Sequence, residues 1–225
     1  MSVKLVVAAD PEDAAARAAR LLADAAHAGE HIVLAGGSTP RRAYELAAEL
    51  DGDWSDAELW WGDERCVPSD DERSNFRLVQ ESLLSRLARP PAAVHRIRVE
   101  LGAELAAEEY DRELRRVPLG LVLLGIGPDG HTASLFPDSP ALDATSRRAV
   151  AADPGLDPRV QRVTLTPEAL AEAGHVVFLA VGAEKSAPVM QALSGAPSPT
   201  TPASLVRSRK GTTTAIVDRA AAAWL

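Results

Sequence analysis

Asp129 and His131, separated by Gly130, are the residues whose types and spacing point most directly to chemistry. They sit in Gly125-Ile126-Gly127-Pro128-Asp129-Gly130-His131-Thr132-Ala133-Ser134-Leu135-Phe136-Pro137, at the end of the apolar run Leu119 to Ile126. An Asp and a His two apart on a glycine turn can both project into one cleft. The carboxylate then fixes the imidazole and favours its basic form, as a general base near neutral pH requires. His27, His31, His95 and His175 have no such setting and read as structural. The same stretch is formally Gly-x-Gly-x-x-Gly, but a dinucleotide fingerprint needs a long following helix and an acidic residue at the next strand end, about 20 residues on. Pro137 and Pro140 curtail any helix and no clear strand ends there with an acid, so the nicotinamide reading is weak.

Three further segments carry candidate groups. Leu34-Ala35-Gly36-Gly37-Ser38-Thr39-Pro40 joins a strand to a helix. Its glycines allow a tight turn, Ser38 or Thr39 can cap, and Pro40 fits the first helical position. This is either a well-capped helix start or an anion site built from free N–H groups. It lacks the Gly-Lys-Ser/Thr ending of a P-loop. Trp60-Trp61-Gly62-Asp63-Glu64-Arg65-Cys66 places three charges directly after a strand, and Ser74-Asn75-Phe76-Arg77 opens a helix. On spacing alone these read as a charged surface loop followed by a helix that Asn75 caps. Arg162, before Val163-Thr164-Leu165-Thr166, and Lys185, in Val181-Gly182-Ala183-Glu184-Lys185, each read individually as a solvated surface charge. Beyond strand ends they can together complete an anion site, Arg as a bidentate donor and Lys as a point charge.

The elements that must position these groups follow from periodicity. Val3 to Ala8, His31 to Ala35, Ala57 to Trp61, Leu119 to Ile126, His175 to Val181 and Thr213 to Val217 are short apolar runs bounded by Gly, Pro or Asp, and read as strands. Helical patterns run over Pro11 to Ala28, Arg41 to Leu50, Asn75 to Leu87, Ala103 to Arg116 and Ala183 to Leu193, the first with Asp10 as N-cap and Gly29 as stop. The alternation predicts one α/β domain over residues 1–225: a doubly wound, mainly parallel sheet with helices on both faces, whose ligands sit at the carboxyl ends of the strands. Asp138 to Asp157 reads as a surface crossing with at most one short strand, and the Pro/Ser/Thr-rich Ser194 to Ser204 as an exposed loop.

Composition narrows the class. With 24 Lys and Arg against 32 Asp and Glu, the formal charge of −8 is wrong for coating nucleic acid or an anionic membrane. One cysteine, Cys66, excludes an internal disulfide or a cysteine-built metal site. No apolar stretch reaches the roughly 20 residues of a membrane span, and the apolar run in Met1 to Asp10 is too short for a signal peptide, so the expected compartment is the cytoplasm.

Taken together and in order, Gly36 to Pro40, Trp61 to Arg65, Ser74 to Arg77, Gly125 to Pro137, Arg162 to Thr166 and Gly182 to Lys185 resemble the 6-phosphogluconolactonase group of the glucosamine-6-phosphate isomerase superfamily. The resemblance covers nearly the whole chain, and Gly125 to Pro137 is its most specific part. It implies a Rossmann-like fold and hydrolysis of 6-phosphoglucono-1,5-lactone, without metal or organic cofactor. The expected partner is the small-molecule phosphorylated lactone, and the protein a monomer or small homo-oligomer. By the same resemblance His131 is the base with Asp129 beside it, and Gly36, Gly37, Ser38, Thr39, Arg162 and Lys185 form the phosphate grip, with Asn75 a further substrate-binding residue. Arg65 contacts substrate or oxyanion, and Asp63 aligns with the proton-transfer acid of the isomerases. Isomerases carry a glutamate where this chain has Phe136, and Asp-Glu-Tyr where it has Asp63-Glu64-Arg65, which favours the lactonase branch. A non-catalytic sugar-phosphate sensor would use the same cleft without needing a water-activating base.

Overall fold

The computed structural model describes residues 3–50 and 52–225. Its strands are β1 (Val3–Ala8), β2 (His31–Leu34), β3 (Glu58–Trp61), β4 (Asp63–Arg65), β5 (Ala93–His95), β6 (Leu119–Leu124), β7 (Ala149–Ala152), β8 (Arg162–Leu165), β9 (His175–Ala180) and β10 (Thr212–Asp218). The helices are α1 (Pro11–His27), α2 (Ser38–Glu49), α3 (Asn75–Ser82), α4 (Ala103–Leu114), α5 (Pro167–Ala171) and α6 (Ser186–Ser194). Seven strands form a parallel sheet in the order β1-β10-β9-β6-β2-β3-β5. The doubly wound arrangement expected from the alternating runs is what forms.

From β2 the chain winds outward through β3 and β5. From β6 it winds the other way through β9 and β10. The order therefore reverses between β2 and β6, and in such sheets a crevice opens at that point beyond the carboxyl ends of the strands. The loops leaving β2 and β6 are the Gly36 and the Asp129–His131 segments.

Two short antiparallel pairings went unread in the sequence. β4, β8 and β7 form a second, three-stranded sheet. Asp63-Glu64-Arg65 is thus a strand and not a loop, and Arg162 begins β8 instead of lying beyond a strand end. Three residues without an apolar alternation leave no periodic signal. Gly62 is the junction: its N–H donates to Leu34 O (2.9 Å) and its carbonyl accepts from Leu165 N (2.8 Å), linking the two sheets. β7 is the one strand of the 138–157 segment, and Asp153 follows it. β7 belongs to the small antiparallel sheet, so this acid does not complete a dinucleotide fingerprint.

Helix ends follow local chemistry where it is present. Asp10 accepts from Asp13 N (2.8 Å), and Gly29 closes α1 with φ +69°. α3 stops at Ser82 and a 3₁₀ turn, Leu84–Arg86, replaces its expected last turns.

Two buried tyrosines lock the strand exits. Tyr44 of α2 donates its hydroxyl to Ala35 O and accepts from Ala35 N, both at 2.8 Å. Tyr110 of α4 accepts from Trp61 N (2.7 Å) and donates to Trp61 O (3.1 Å). Past the last ladder bond these peptide groups have no strand partner, and a buried unpaired peptide costs about 1–3 kcal/mol. Tyr44→Phe is therefore expected to lower the unfolding free energy by about 1–3 kcal/mol. Urea denaturation checks this, and an unchanged midpoint would show that water replaces the hydroxyl.

Candidate active site

Alternation along β4 sends Asp63 and Arg65 to one face and Glu64 to the other. Asp63 and Arg65 line a cleft, whereas Glu64 turns to the start of α3. There its carboxylate accepts from Asn75 N (2.8 Å), Phe76 N (2.7 Å) and Ser74 Oγ (3.1 Å). Burial raises the Glu64 pKa above the usual carboxylate range against the pull of these N–H donors, and the Asp63 charge adds to the rise.

Asp63 is buried, with Oδ2 accepting from Ser134 Oγ (2.6 Å) and Oδ1 from Asn75 Nδ2 (3.1 Å). The same amide donates to Asp63 O (2.9 Å). Asn75, expected as a helix cap and a substrate-binding residue, neither caps α3 nor lines the cleft. Ser74 caps α3 by accepting from Arg77 N (3.2 Å), and Asn75 is buried behind the Gly36 loop, outside the cleft lining. A Cβ on Gly36 would lie 1.8 Å from Asn75 Oδ1, so this packing is what demands glycine at 36.

The His131 turn is closed by Gly127 N to His131 O (2.8 Å) and Gly130 N to Gly127 O (3.0 Å), with Gly130 at φ +83°. Asp129 Oδ1 receives both the main-chain N–H of His131 (3.1 Å) and Nδ1 of its ring (2.5 Å). An ionised Asp129 thereby assigns the proton to Nδ1 and leaves the Nε2 lone pair, which has no partner among the described residues. Burial opposes ionisation of Asp129, but the bond to His131 and the imidazole charge outweigh it and hold the carboxyl below its ordinary value. Asp129 itself stands behind His131 and does not line the cleft.

Ser194 to Ser204, expected to be an exposed loop, is buried at Thr201–Ser204. Ala203 N donates to Gly130 O (3.0 Å), and a Cβ on Gly130 would meet Thr201 Cγ2 at 2.9 Å. This segment is the outer wall of the His131 turn. Its Ser/Thr/Pro composition carried no hint of that, because Thr201 and Ala203 contact Gly130, 71 and 73 residues earlier in the chain.

One cleft of about 340 Å³ is lined by Gly36, Gly37, Ser38, Thr39, Asp63, Arg65, Gly127, His131, Arg162 and Lys185, together with Glu184. α2 starts at Ser38, three residues earlier than the Arg41 start its pattern indicated. Gly37, at φ +105°, is its N-cap, no side chain caps it, and Pro40 is at the third helical position. The N–H groups of Ser38 and Thr39 therefore have no partner among the described residues, and these two residues line the cleft at the positive end of a helix dipole. Arg65 and Arg162 are directly opposed across β4 and β8. Like charges in such a pair repel. Arg65 Nη1 donates to Arg73 O (2.7 Å) and Arg162 Nη2 to Leu156 O (2.9 Å) and Pro158 O (3.1 Å). Burial lowers the Arg162 pKa, Arg65 lowers it further, and Asp63 opposes both. Burial likewise lowers Lys185, against the charges of Glu184 and Asp129. Three cations and an uncapped helix start give this cleft the chemistry to hold an anion, beside the carboxylates of Asp63 and Glu184.

Ser134 was missed as a site residue. It stands three positions after His131, in the segment already singled out, but only the fold shows that its hydroxyl serves Asp63.

The family profile described as Glucosamine-6-phosphate isomerases/6-phosphogluconolactonase matches residues 8–215. The 6-phosphogluconolactonase of Thermotoga maritima is 40% identical over 185 residues, 80% of this chain and 81% of its own length. That of Streptomyces coelicolor is 36% identical over 99% of this chain and 94% of its own. The solved 6-phosphogluconolactonase from Trypanosoma cruzi superposes with TM-score 0.88 at 29% identity, covering 100% of this chain and 98% of that one. The chain belongs to the glucosamine-6-phosphate isomerase/6-phosphogluconolactonase family. Within it the chain stands with the lactonases, enzymes that hydrolyse a lactone.

The depressed carboxyl of Asp129 has a consequence for acid stability. A group whose pKa is lower folded than unfolded contributes stability above its unfolded value, near about pH 4, and loses it as pH falls through the folded value. Asp129→Asn is expected to be less stable than the parent at neutral pH and to converge on it in acid, as measured by urea unfolding across pH. A gap that stays constant into acid would mean that the charge of Asp129 contributes nothing.

Proposed function

We propose that this chain hydrolyses 6-phospho-D-glucono-1,5-lactone to 6-phospho-D-gluconate, the lactone step of the oxidative pentose phosphate route. The observation that carries the reading is that His131, with Nε2 free, shares one sugar-sized cleft with Lys185, Arg162 and the uncapped start of α2. The names of the relatives support the substrate, and Phe136 in place of the isomerase glutamate supports hydrolysis over ring opening.

In this mechanism the phosphate rests against the N–H groups of Gly37, Ser38 and Thr39 and the cations Arg162 and Lys185. The phosphate anchors the ring so that C1 meets a water held at Nε2 of His131. The imidazole takes one proton from that water as its oxygen adds to the carbonyl carbon. Negative charge moves to the carbonyl oxygen, where Arg65 is the donor. Collapse of the tetrahedral intermediate breaks the bond from C1 to the ring oxygen, and the ring oxygen takes the proton held by the imidazolium, which restores neutral His131. The new carboxyl group releases its remaining proton to solvent, so the product carries a carboxylate and a free hydroxyl. Asp129 keeps the imidazole in its basic tautomer and then balances the imidazolium. Both oxygens of Asp63 are occupied, by Ser134 and Asn75, so we read it as the counterion that holds Arg162 and the cleft wall and not as a proton acceptor. A Gly-x-Ser-x-Gly elbow is lacking in the sequence, which fits direct attack by water. We place this activity in the cytoplasm; no helix among the described residues is long and apolar enough to cross a membrane.

His131→Ala is expected to lower kcat by about 10²–10⁴-fold, the contribution of a positioned base, while 6-phosphogluconate still binds. The assay generates lactone in situ and subtracts spontaneous hydrolysis. Turnover close to the parent in a folded variant removes His131 from the role. Arg162→Ala and Lys185→Ala should mainly raise KM for the phosphorylated lactone and erode its preference over the unphosphorylated one. If that preference survives both changes, the phosphate lies elsewhere.

A further inference from the structure

Phe136 belongs to the same loop as His131, yet it does not line the cleft. It is 8% exposed and packs between the two halves of the site. On one side its ring meets the imidazole of His131, with centroids 4.8 Å apart and planes at 45°. On the other, Cζ of Arg162 lies 5.3 Å from its centroid, within cation–π range. Both neighbours are backed in turn. A Cβ on Gly127 would come 2.0 Å from His131 Nδ1, so the imidazole has little room to retreat. Arg162 is tied to Leu156 O and Pro158 O. The same segment closes behind the phenyl ring, where a Cβ on Gly155 would be 2.4 Å from Cε1 and Cζ of Phe136.

We propose that Phe136 is a positioning residue that fixes the separation between the imidazole of His131 and the guanidinium of Arg162, so that base and anion grip engage one molecule at once. The inference rests on the lactonase mechanism above. The physical argument is one of stiffness. Arg162 is 3% exposed and its Nε is buried without a partner, so the ring face is one of few contacts that define where the cation sits. The imidazole is fixed by Asp129 at one atom only, which sets its tautomer but leaves rotation about that bond to packing. An aromatic ring with two torsions, gripped by Gly155, supplies both restraints.

The test is Phe136→Leu, which keeps apolar volume and removes the ring. Its KM for phosphorylated lactone should rise about 2- to 30-fold, the range of one cation–π contact between exposed and desolvated settings. Its kcat should fall about tenfold, part of what a well-placed base contributes. The ring-proton resonances of His131 should also move toward those of free histidine. A purely structural role would lower the melting temperature and the folded fraction, and leave KM and the His131 signals of the folded molecules unchanged. Gly155→Ala, which pushes the phenyl ring from behind without touching the cleft, should act in the same direction. The double variant should be no worse than Phe136→Leu alone, since both act through one ring. Folded Phe136→Leu with parental KM, kcat and His131 resonances would overturn the inference. Should that variant fail to fold, parental KM and kcat in Gly155→Ala overturn it instead. His131→Ala separates the two levels. If it is inactive while Phe136→Leu is normal, only the role of Phe136 falls, whereas an active His131→Ala removes the mechanism beneath it.

Discussion

A carboxylate buried at the back of the cleft is the constraint on which the rest of the site depends. An ionised Asp63 cannot remain out of water without donors, and the fold must bring them to it. Ser134 comes from the loop after β6, Asn75 from the start of α3, and Arg162 lends its charge from β8. Satisfying that one group therefore draws together segments that are 12, 71 and 99 residues away in sequence. Removing any donor leaves a buried charge short of partners, which is far costlier than the bond itself is favourable. The wall of the cleft is specified by that asymmetry.

The second level of control is the sheet. Because strand order reverses between β2 and β6, the loops that carry Gly36 and His131 leave the sheet side by side, and no helix fills the space between their exits. The small sheet then brings β4 and β8 against that space. Period-two alternation chooses which of three consecutive charges face it: Asp63 and Arg65 do, and Glu64 instead anchors α3. The helix dipole of α2, two cross-strand arginines and Lys185 make the cleft attractive to an anion, although the chain as a whole carries −8. Net charge governs solubility and long-range steering, while the substrate senses the local field.

What could be read without coordinates had local causes. Asp10 as a cap, Gly29 as a stop and six of the seven parallel strands follow from capping chemistry and short, mostly apolar runs. So does the Asp129-Gly130-His131 pairing, in which two residues separated by one glycine meet on the turn that joins them. Errors gathered where partners are remote. β4 and β8 are too short to alternate visibly, Asn75 looks like a cap until Ser74 is seen to hold that place, and Thr201 belongs to a segment whose composition is that of a solvated loop. Gly36 was singled out for its tight turn, whereas Asn75 packed against it leaves no room for a side chain.

The sequence by itself determined the α/β alternation, the strand-end loops that line the cleft and the tautomer-setting partner of His131, since each depends on residues a few positions apart. Only the tertiary structure decided that Asp63 has both carboxylate oxygens filled by Ser134 and Asn75, that Phe136 stands between imidazole and guanidinium, and that Thr201 walls the His131 turn. Those assignments depend on which surfaces are left facing one another once strands reverse direction about β2 and β6, and a linear pattern does not contain that geometry.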